Sequence, residues 1–336
     1  MSRTGRQTFI FDHPVEIAAH VSAAGPKEGK GPLAEWFDTI LPDDLLGEKS
    51  WEMAESKMLK QCAEQAEADA GLPRGSAQAF LSGDLNDQII ASSFAARDMG
   101  LPFIGLYGAC STFVQALTVG GALVSGGFLD NALCAASSHY CTAERQFRFP
   151  LELGNQRPPQ AQWTTTAAGC AVIRRGAGTL RLECGTIGRV VDMQITDANH
   201  MGAAMAPAVC ECIARHMEDT GRSETDYDLV ATGDLGWVGR NILMELFQRR
   251  GLKMPDEKLI DCGASMFYQE QDTHAGGSGC GCIASVACGM IMKRMEAGEW
   301  RRVLLVGSGA MLSPTSSMQA QSIPGIAYAA AVGRND

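Results

Sequence analysis

The sequence predicts an α/β protein made of two duplicated βα halves, each a mostly parallel sheet covered by helices, around one shared core. Three observations lead there. The order helix, strand, Gly-Asp-Leu, helix, strand, Gly-rich helix start, strand occurs twice in the 336 residues. An offset of 150 positions lays Cys62 on Cys212, Gly71 on Gly221 and Gly83-Asp84-Leu85 on Gly233-Asp234-Leu235. The strand candidates are continuous apolar runs, as strands covered on both faces are. A period this long excludes a solenoid and divides the chain into residues 1–175 and 176–336.

Each element follows from local pattern. Thr8-Phe9-Ile10-Phe11 reads as a short strand, and Gly25 to Pro32 as a Gly/Pro/Lys loop. From Trp51 to Ala70, Met53, Ala54, Met58, Cys62 and Ala66 recur at helical spacing until Gly71-Leu72-Pro73 stops them. Ala77–Leu81 suits a strand, Gln88–Arg97 a helix and Pro102–Leu106 another strand. Gly108-Ala109-Cys110-Ser111-Thr112 opens an apolar helix to about Ser125, and Ala132–Ala136 is a buried strand. In the second half Met201–Thr220 is a helix, Asp228–Thr232 a strand, and Val303–Ser308 the counterpart of Ala132–Ser137.

Composition narrows the function. Lys plus Arg is 28 against 38 for Asp plus Glu, a net charge of −10 with no basic run, which excludes nucleic acid as the expected partner. The twelve cysteines include no C-x-x-C pair, so they read as small buried residues, without a metal or disulfide framework. The opening MSRTGRQTFIFDH lacks the apolar run of a signal peptide. Met99–Leu129 is 31 residues without a charge, but Pro102 and seven glycines make it a strand, a turn and a buried helix, not a membrane span.

Three segments carry candidate chemistry. Cys110 stands where a strand ends and a helix begins, where unpaired N–H groups lower a thiol's pKa and attract anions; a small residue buried beside a turn is the structural alternative. His274 to Cys282 is a glycine-rich loop suited to close approach of a ligand or of a neighbouring chain, or to tight helix packing without a ligand. Ser137 to Pro150 follows a strand end, with His139, Arg145 and Arg148 able to meet carboxylates or to form a solvated loop.

These residues resemble a known fold. The duplication and the Cys at a buried helix start are similar to the thiolase fold shared with ketoacyl synthase III, which implies a layered αβαβα core. Thr166-Ala167-Ala168-Gly169-Cys170-Ala171-Val172 and Leu305-Val306-Gly307-Ser308-Gly309-Ala310 resemble glycine-rich strands of those synthases. A closer resemblance covers nearly the whole chain. Gly31-Pro32-Leu33, Ser50-Trp51-Glu52-Met53-Ala54-Glu55, the Cys110 turn, Ala143-Glu144-Arg145-Gln146-Phe147-Arg148-Phe149-Pro150 and Gly154-Asn155-Gln156-Arg157-Pro158-Pro159 resemble the stage V sporulation protein AD family.

The family resemblance implies a sporulation protein that binds dipicolinic acid, alone or as its calcium chelate, and supports its uptake into the developing spore. It implies work with membrane proteins of the same operon and peripheral association with the forespore or spore inner membrane. The fold implies a homodimer. The synthases use Cys, His and Asn together; here the expected His falls in Thr232-Gly233-Asp234 and the expected Asn at Gly276-Gly277. A non-catalytic relative is therefore expected, without cofactor or resident metal. The alternatives are an acyltransferase or thiolase using Cys110, with His274, Cys280 and Cys282 rearranged around it, and a structural partner with a vestigial pocket. The expected ligand site is the cleft formed by Cys110, Ser111, His139, Asp234, His274, Gly276 and Gly277, with Asp234 facing away or bridged by calcium.

Overall fold

A computed structural model describes residues 2–147 and 157–335. The N-terminal part supplies β1 (Ser2–Thr4), β2 (Thr8–Ala24), β3 (Thr39–Ile40), β4 (Phe80–Gly83), β5 (Phe103–Gly105), β6 (Asn131–Ser138), β7 (Trp163–Thr164) and β8 (Ala167–Arg175). The rest supplies β9 (Leu180–Ile187), β10 (Leu229–Thr232), β11 (Leu259–Asp261), β12 (Gly277–Ser278), β13 (Arg302–Ala310) and β14 (Gly325–Arg334). The helices are α1 (Trp51–Asp69), α2 (Ile90–Met99), α3 (Thr112–Ser125), α4 (Tyr140–Phe147), α5 (Met201–Thr220), α6 (Gly236–Arg250), α7 (Cys262–Ser265) and α8 (Cys280–Val286).

The main sheet runs β11-β10-β13-β14-β9-β2-β8-β6-β4-β5, two matching sets of five strands meeting where β2 and β9 pair antiparallel. In each set the outer three strands are parallel and the inner two antiparallel. The expectation of mostly parallel halves therefore holds only at the outside. Apolar runs do not encode strand direction; the connections do, and the return from β13 to β14 needs no crossover helix when the strands run antiparallel.

Three buried clusters define the layers. Met58, Leu59 and Cys62 of α1 pack on Phe80, Leu133 and Val172. Met205, Val209 and Ile213 of α5 pack on Val230, Leu304 and Val306, with Leu243 and Phe247 of α6. Between the sets lie Phe113, Val114 and Leu117 of α3 with Ile283 and Val286 of α8; α3 touches strands of both sets. A helix covered on both sides must be apolar all round, which is why its segment reads as membrane-like. Among the described residues no helix is long and apolar enough to cross a membrane.

Besides β9, which the sequence pattern does not mark, two strands escape it for identifiable reasons. The run beginning at Thr8 continues to Ala24, with the register slipping between Ile10 and Val15 around Asp12-His13-Pro14. The proline has no N–H for the ladder and interrupts the run before Val15-Glu16-Ile17, and Ala18, Ala19, Ser22, Ala23 and Ala24 carry little strand signal. The second is β14, whose Ala327, Ala329, Ala330 and Ala331 favour helix by propensity, yet it lies between β13 and β9.

Glycine admits the central layer closely. A Cβ built on Gly169 of β8 would sit 2.2 Å from the carbonyl oxygen of Ala284 in α8. Gly169→Ala should therefore cost about 1–3 kcal/mol of stability through forced separation, measured by urea unfolding.

Candidate functional site

The strand ends of both sets converge on Asp234, in the turn after β10. Its carboxylate is wholly buried. One oxygen accepts from Ser308 Oγ at 2.8 Å, the other from Ser278 Oγ at 3.1 Å and the Gly279 N–H at 2.8 Å. The Cys110 thiol is near enough to this carboxylate for each to shift the other's titration. The turn itself is fixed by Asp261, which accepts from the N–H groups of Leu235 at 2.8 Å and Gly236 at 2.9 Å. The loop before α3 contributes Cys110 after Ala109, which takes a left-handed φ of 50°.

This geometry sets the chemistry of the thiol. Burial first, then the charge of Asp234, pushes the Cys110 pKa well above its ordinary value. Burial also raises Asp234, against the pull of its hydrogen bonds from Cys110, Gly279, Ser308 and Ser278. A nucleophilic cysteine needs the reverse, a cation or neutral base that favours the thiolate. The structure thus brings Cys110 and Asp234 together, with Asp234 turned toward the thiol and not away from it.

The other expected site residues have partners of their own. Ser111 Oγ donates to the Gly108 carbonyl at 2.6 Å and closes its own turn. His139 is buried, its Nε2 2.8 Å from the Asp44 carbonyl oxygen while its Nδ1 accepts from the Cys141 N–H at 3.2 Å; it braces the loop before α1 and burial lowers its pKa. His274 lies 3.0 Å from the Pro158 carbonyl oxygen and 3.2 Å from Asp272, toward the surface. Gly276 and Gly277 are packed against backbone: a Cβ on Gly276 would meet the Gly263 oxygen at 2.8 Å, and the Gly277 carbonyl accepts from Gln162 at 2.8 Å. Of the arginines after β6, Arg145 pairs with Glu52, and Arg148 lies outside the described residues.

A second feature was not expected from the pattern. Trp163 of β7 stacks on Tyr140 with ring centroids 3.7 Å apart. Lys27 Nζ lies 4.1 Å and Arg157 Cζ 4.8 Å from its ring. The Arg157 side chain is 7% exposed; Nη2 donates to the Asp272 carbonyl at 2.6 Å, and Nη1 is buried with no hydrogen-bond partner. Burial and the neighbouring guanidinium lower the Lys27 pKa. Beside them is a cavity of about 510 Å³ lined by Lys27, Lys30, Tyr140, Trp163, Glu28 and Asp44, among others. The sequence signals were an isolated Trp in a polar run and a lysine in a loop, neither distinguishable from surface residues.

With this architecture on the page, comparison with solved structures places the fold. Cerulenin-bound OleA of Xanthomonas campestris matches with a TM-score of 0.62 at 12% identity, covering 95% of this chain and 97% of that one. A histidine-to-asparagine variant of the same protein gives 0.60 at 13%, covering 95% and 99%. The protein is thiolase-like in fold. The family model for stage V sporulation protein AD matches residues 5–333. Stage V sporulation protein AD of Bacillus subtilis (strain 168) is 41% identical over 328 residues, 98% of this chain and 97% of that protein. The chain belongs to the stage V sporulation protein AD family, and is a sporulation protein.

Two outcomes follow from the buried acids. Iodoacetamide at neutral pH should alkylate Cys110 far more slowly than free cysteine, and Asp234→Asn should speed the reaction by removing the charge that opposes the thiolate; peptide mass mapping reads both. Burial raises the carboxyl of Glu28 from 4.5 to about 7. Its folded-state pKa lies above the unfolded one, so its contribution is complete below the ordinary pKa and lost as pH rises through about 7. His216, buried between Thr186 and Tyr227, has a lowered pKa and acts only below its ordinary 6.5. Melting temperature should therefore fall from pH 6.5 to about 8, and Glu28→Gln should flatten that fall.

Proposed function

We propose that the protein binds dipicolinic acid, alone or as its calcium chelate, and supports its uptake into the forming spore without catalysing a reaction. Family membership supplies the biological setting. The observation that carries the ligand reading is the cation pair Lys27 and Arg157 held against Trp163, with one guanidinium nitrogen buried and unpartnered. Two like charges so placed gain from a dianion, and the flat aromatic setting suits a rigid planar ring. The surroundings of Cys110 suit it less, because Asp234 stands beside that thiol and would repel a dianion.

Charge of the opposite sign accompanies the cavity. Asp44 and Glu270 line it with Glu28, an arrangement in keeping with a ligand that brings calcium with it. A ligand of about a dozen heavy atoms at roughly −0.5 kcal/mol each binds with about −6 kcal/mol, a dissociation constant of tens of micromolar. Calorimetry with dipicolinate, with and without calcium, is the test. Lys27→Glu and Arg157→Gln should each weaken binding by tenfold or more, while Cys110→Ala leaves it unchanged. Loss of binding in Cys110→Trp with full binding in Lys27→Glu would move the ligand to the cleft beside α3.

The non-catalytic part rests on the Cys110–Asp234 pair. Purified protein should not cleave acyl-CoA thioesters; cleavage that disappears in Cys110→Ala would establish the acyltransferase reading instead. Attachment to the spore inner membrane is proposed to come through membrane proteins of the same operon. Fractionation of spores with and without those partners should shift the protein from the membrane to the soluble fraction.

A further inference from the structure

The opposite end of α3 carries a groove that the reading above does not use. Thr112 and Ala122 lie ten residues apart on α3, about 15 Å along its axis, so this groove is remote from Cys110. It encloses about 550 Å³ where β1, β2 and the end of β9 meet the helix, within the usual range for a small-molecule site. Phe9, Ala122 and Ile187 supply an apolar lining, and Arg3, Arg6 and Arg189 supply cations. Ile187 is 45% exposed, a large apolar side chain left uncovered at a strand end.

The charge distribution is the unusual part. In a chain of net charge −10, three guanidinium groups line one concavity. Arg189 is held by Glu211 at 2.8 Å. Arg3 reaches only the Arg6 carbonyl, at 2.9 Å, and among the described residues neither Arg3 nor Arg6 has an ion-pair partner. The acid nearest in sequence contact, Asp219, is committed elsewhere: it accepts from the backbone N–H groups of Arg6 at 3.1 Å and Gln7 at 2.9 Å and from Thr8 Oγ at 3.1 Å. An apolar body and a negative head would satisfy both parts of this lining, the first by area removed from water and the second by charge-assisted hydrogen bonds.

We propose that this groove binds an amphiphilic anion, with a single apolar chain along Phe9, Ala122 and Ile187 and a carboxylate or phosphate head on Arg3 and Arg6. Dipicolinate does not fit this description, since it is a small ring with two carboxylates on one side and carries no apolar chain. The test is fluorescence titration of the full chain with dansyl-undecanoate and with its uncharged methyl ester. The acid should bind saturably, and at least about tenfold more weakly both to Arg3→Gln/Arg6→Gln and to Ala122→Trp, which fills the groove. Circular dichroism and melting confirm that the variants fold. Flotation with phosphatidylglycerol vesicles separates the sources: binding without flotation assigns a free amphiphile, and flotation lost in the double variant assigns a lipid. Equal binding of acid and ester, unchanged binding in the double variant, or displacement of the probe by dipicolinate would overturn the proposal. Displacement at Lys27 alone tests the earlier reading, so the two fail separately.

Discussion

The buried carboxylate of Asp234 is the constraint on which the rest of the Cys110 end depends. It sits after β10, yet it is satisfied by Ser278 of β12 and the Gly279 N–H just before α8 and by Ser308 within β13, and it stands beside the thiol of Cys110 from the loop before α3. A charge taken out of water must find all its hydrogen bonds inside the protein. Here it finds them on two separate segments, with Cys110 on a third beside it, and so fixes their positions relative to its own turn. Asp261 performs a similar task one layer out, holding the Asp234 turn through the N–H groups of Leu235 and Gly236.

The same interaction explains why a thiolase-like fold is not evidence of thiolase-like chemistry in this chain. A cysteine at a helix start is reactive only when its surroundings favour the thiolate. Burial and an adjacent carboxylate both oppose it. The fold supplies the placement of Cys110, and the residue opposite decides what that placement can do.

Charge is distributed against the average. The chain is acidic overall, but cations are grouped in two places: Lys27 and Arg157, the latter paired with Asp272, at Trp163, and Arg3 and Arg6 at the far end of α3. Both lie in concavities with apolar or aromatic surface, where an ionic contact is less screened than on an open face. The carboxyls with raised pKa values, Glu28 and Asp261 among them, are buried ones. The protein therefore keeps its negative charge at the surface and limits it inside.

Local pattern determined the long helices, the duplicated order and the existence of the outer strands, because these are properties of segments read one at a time; α4, in the segment after β6, was not legible. Resemblance of short motifs placed the family. What only the tertiary structure decided is direction and partnership. The alanine-rich β14 is a strand because β13 and β9 flank it, and β2 is long because it has a partner on each side over its length. His139 and His274, plausible ligands in sequence, are engaged with the Asp44 and Pro158 carbonyls, whereas Lys27, Arg157 and Trp163, unremarkable in sequence, are brought together from distant segments. A hydrogen bond or a cation–π contact depends on position to a fraction of an ångström, and that position is fixed by the packing of the whole core, which no local window of sequence contains.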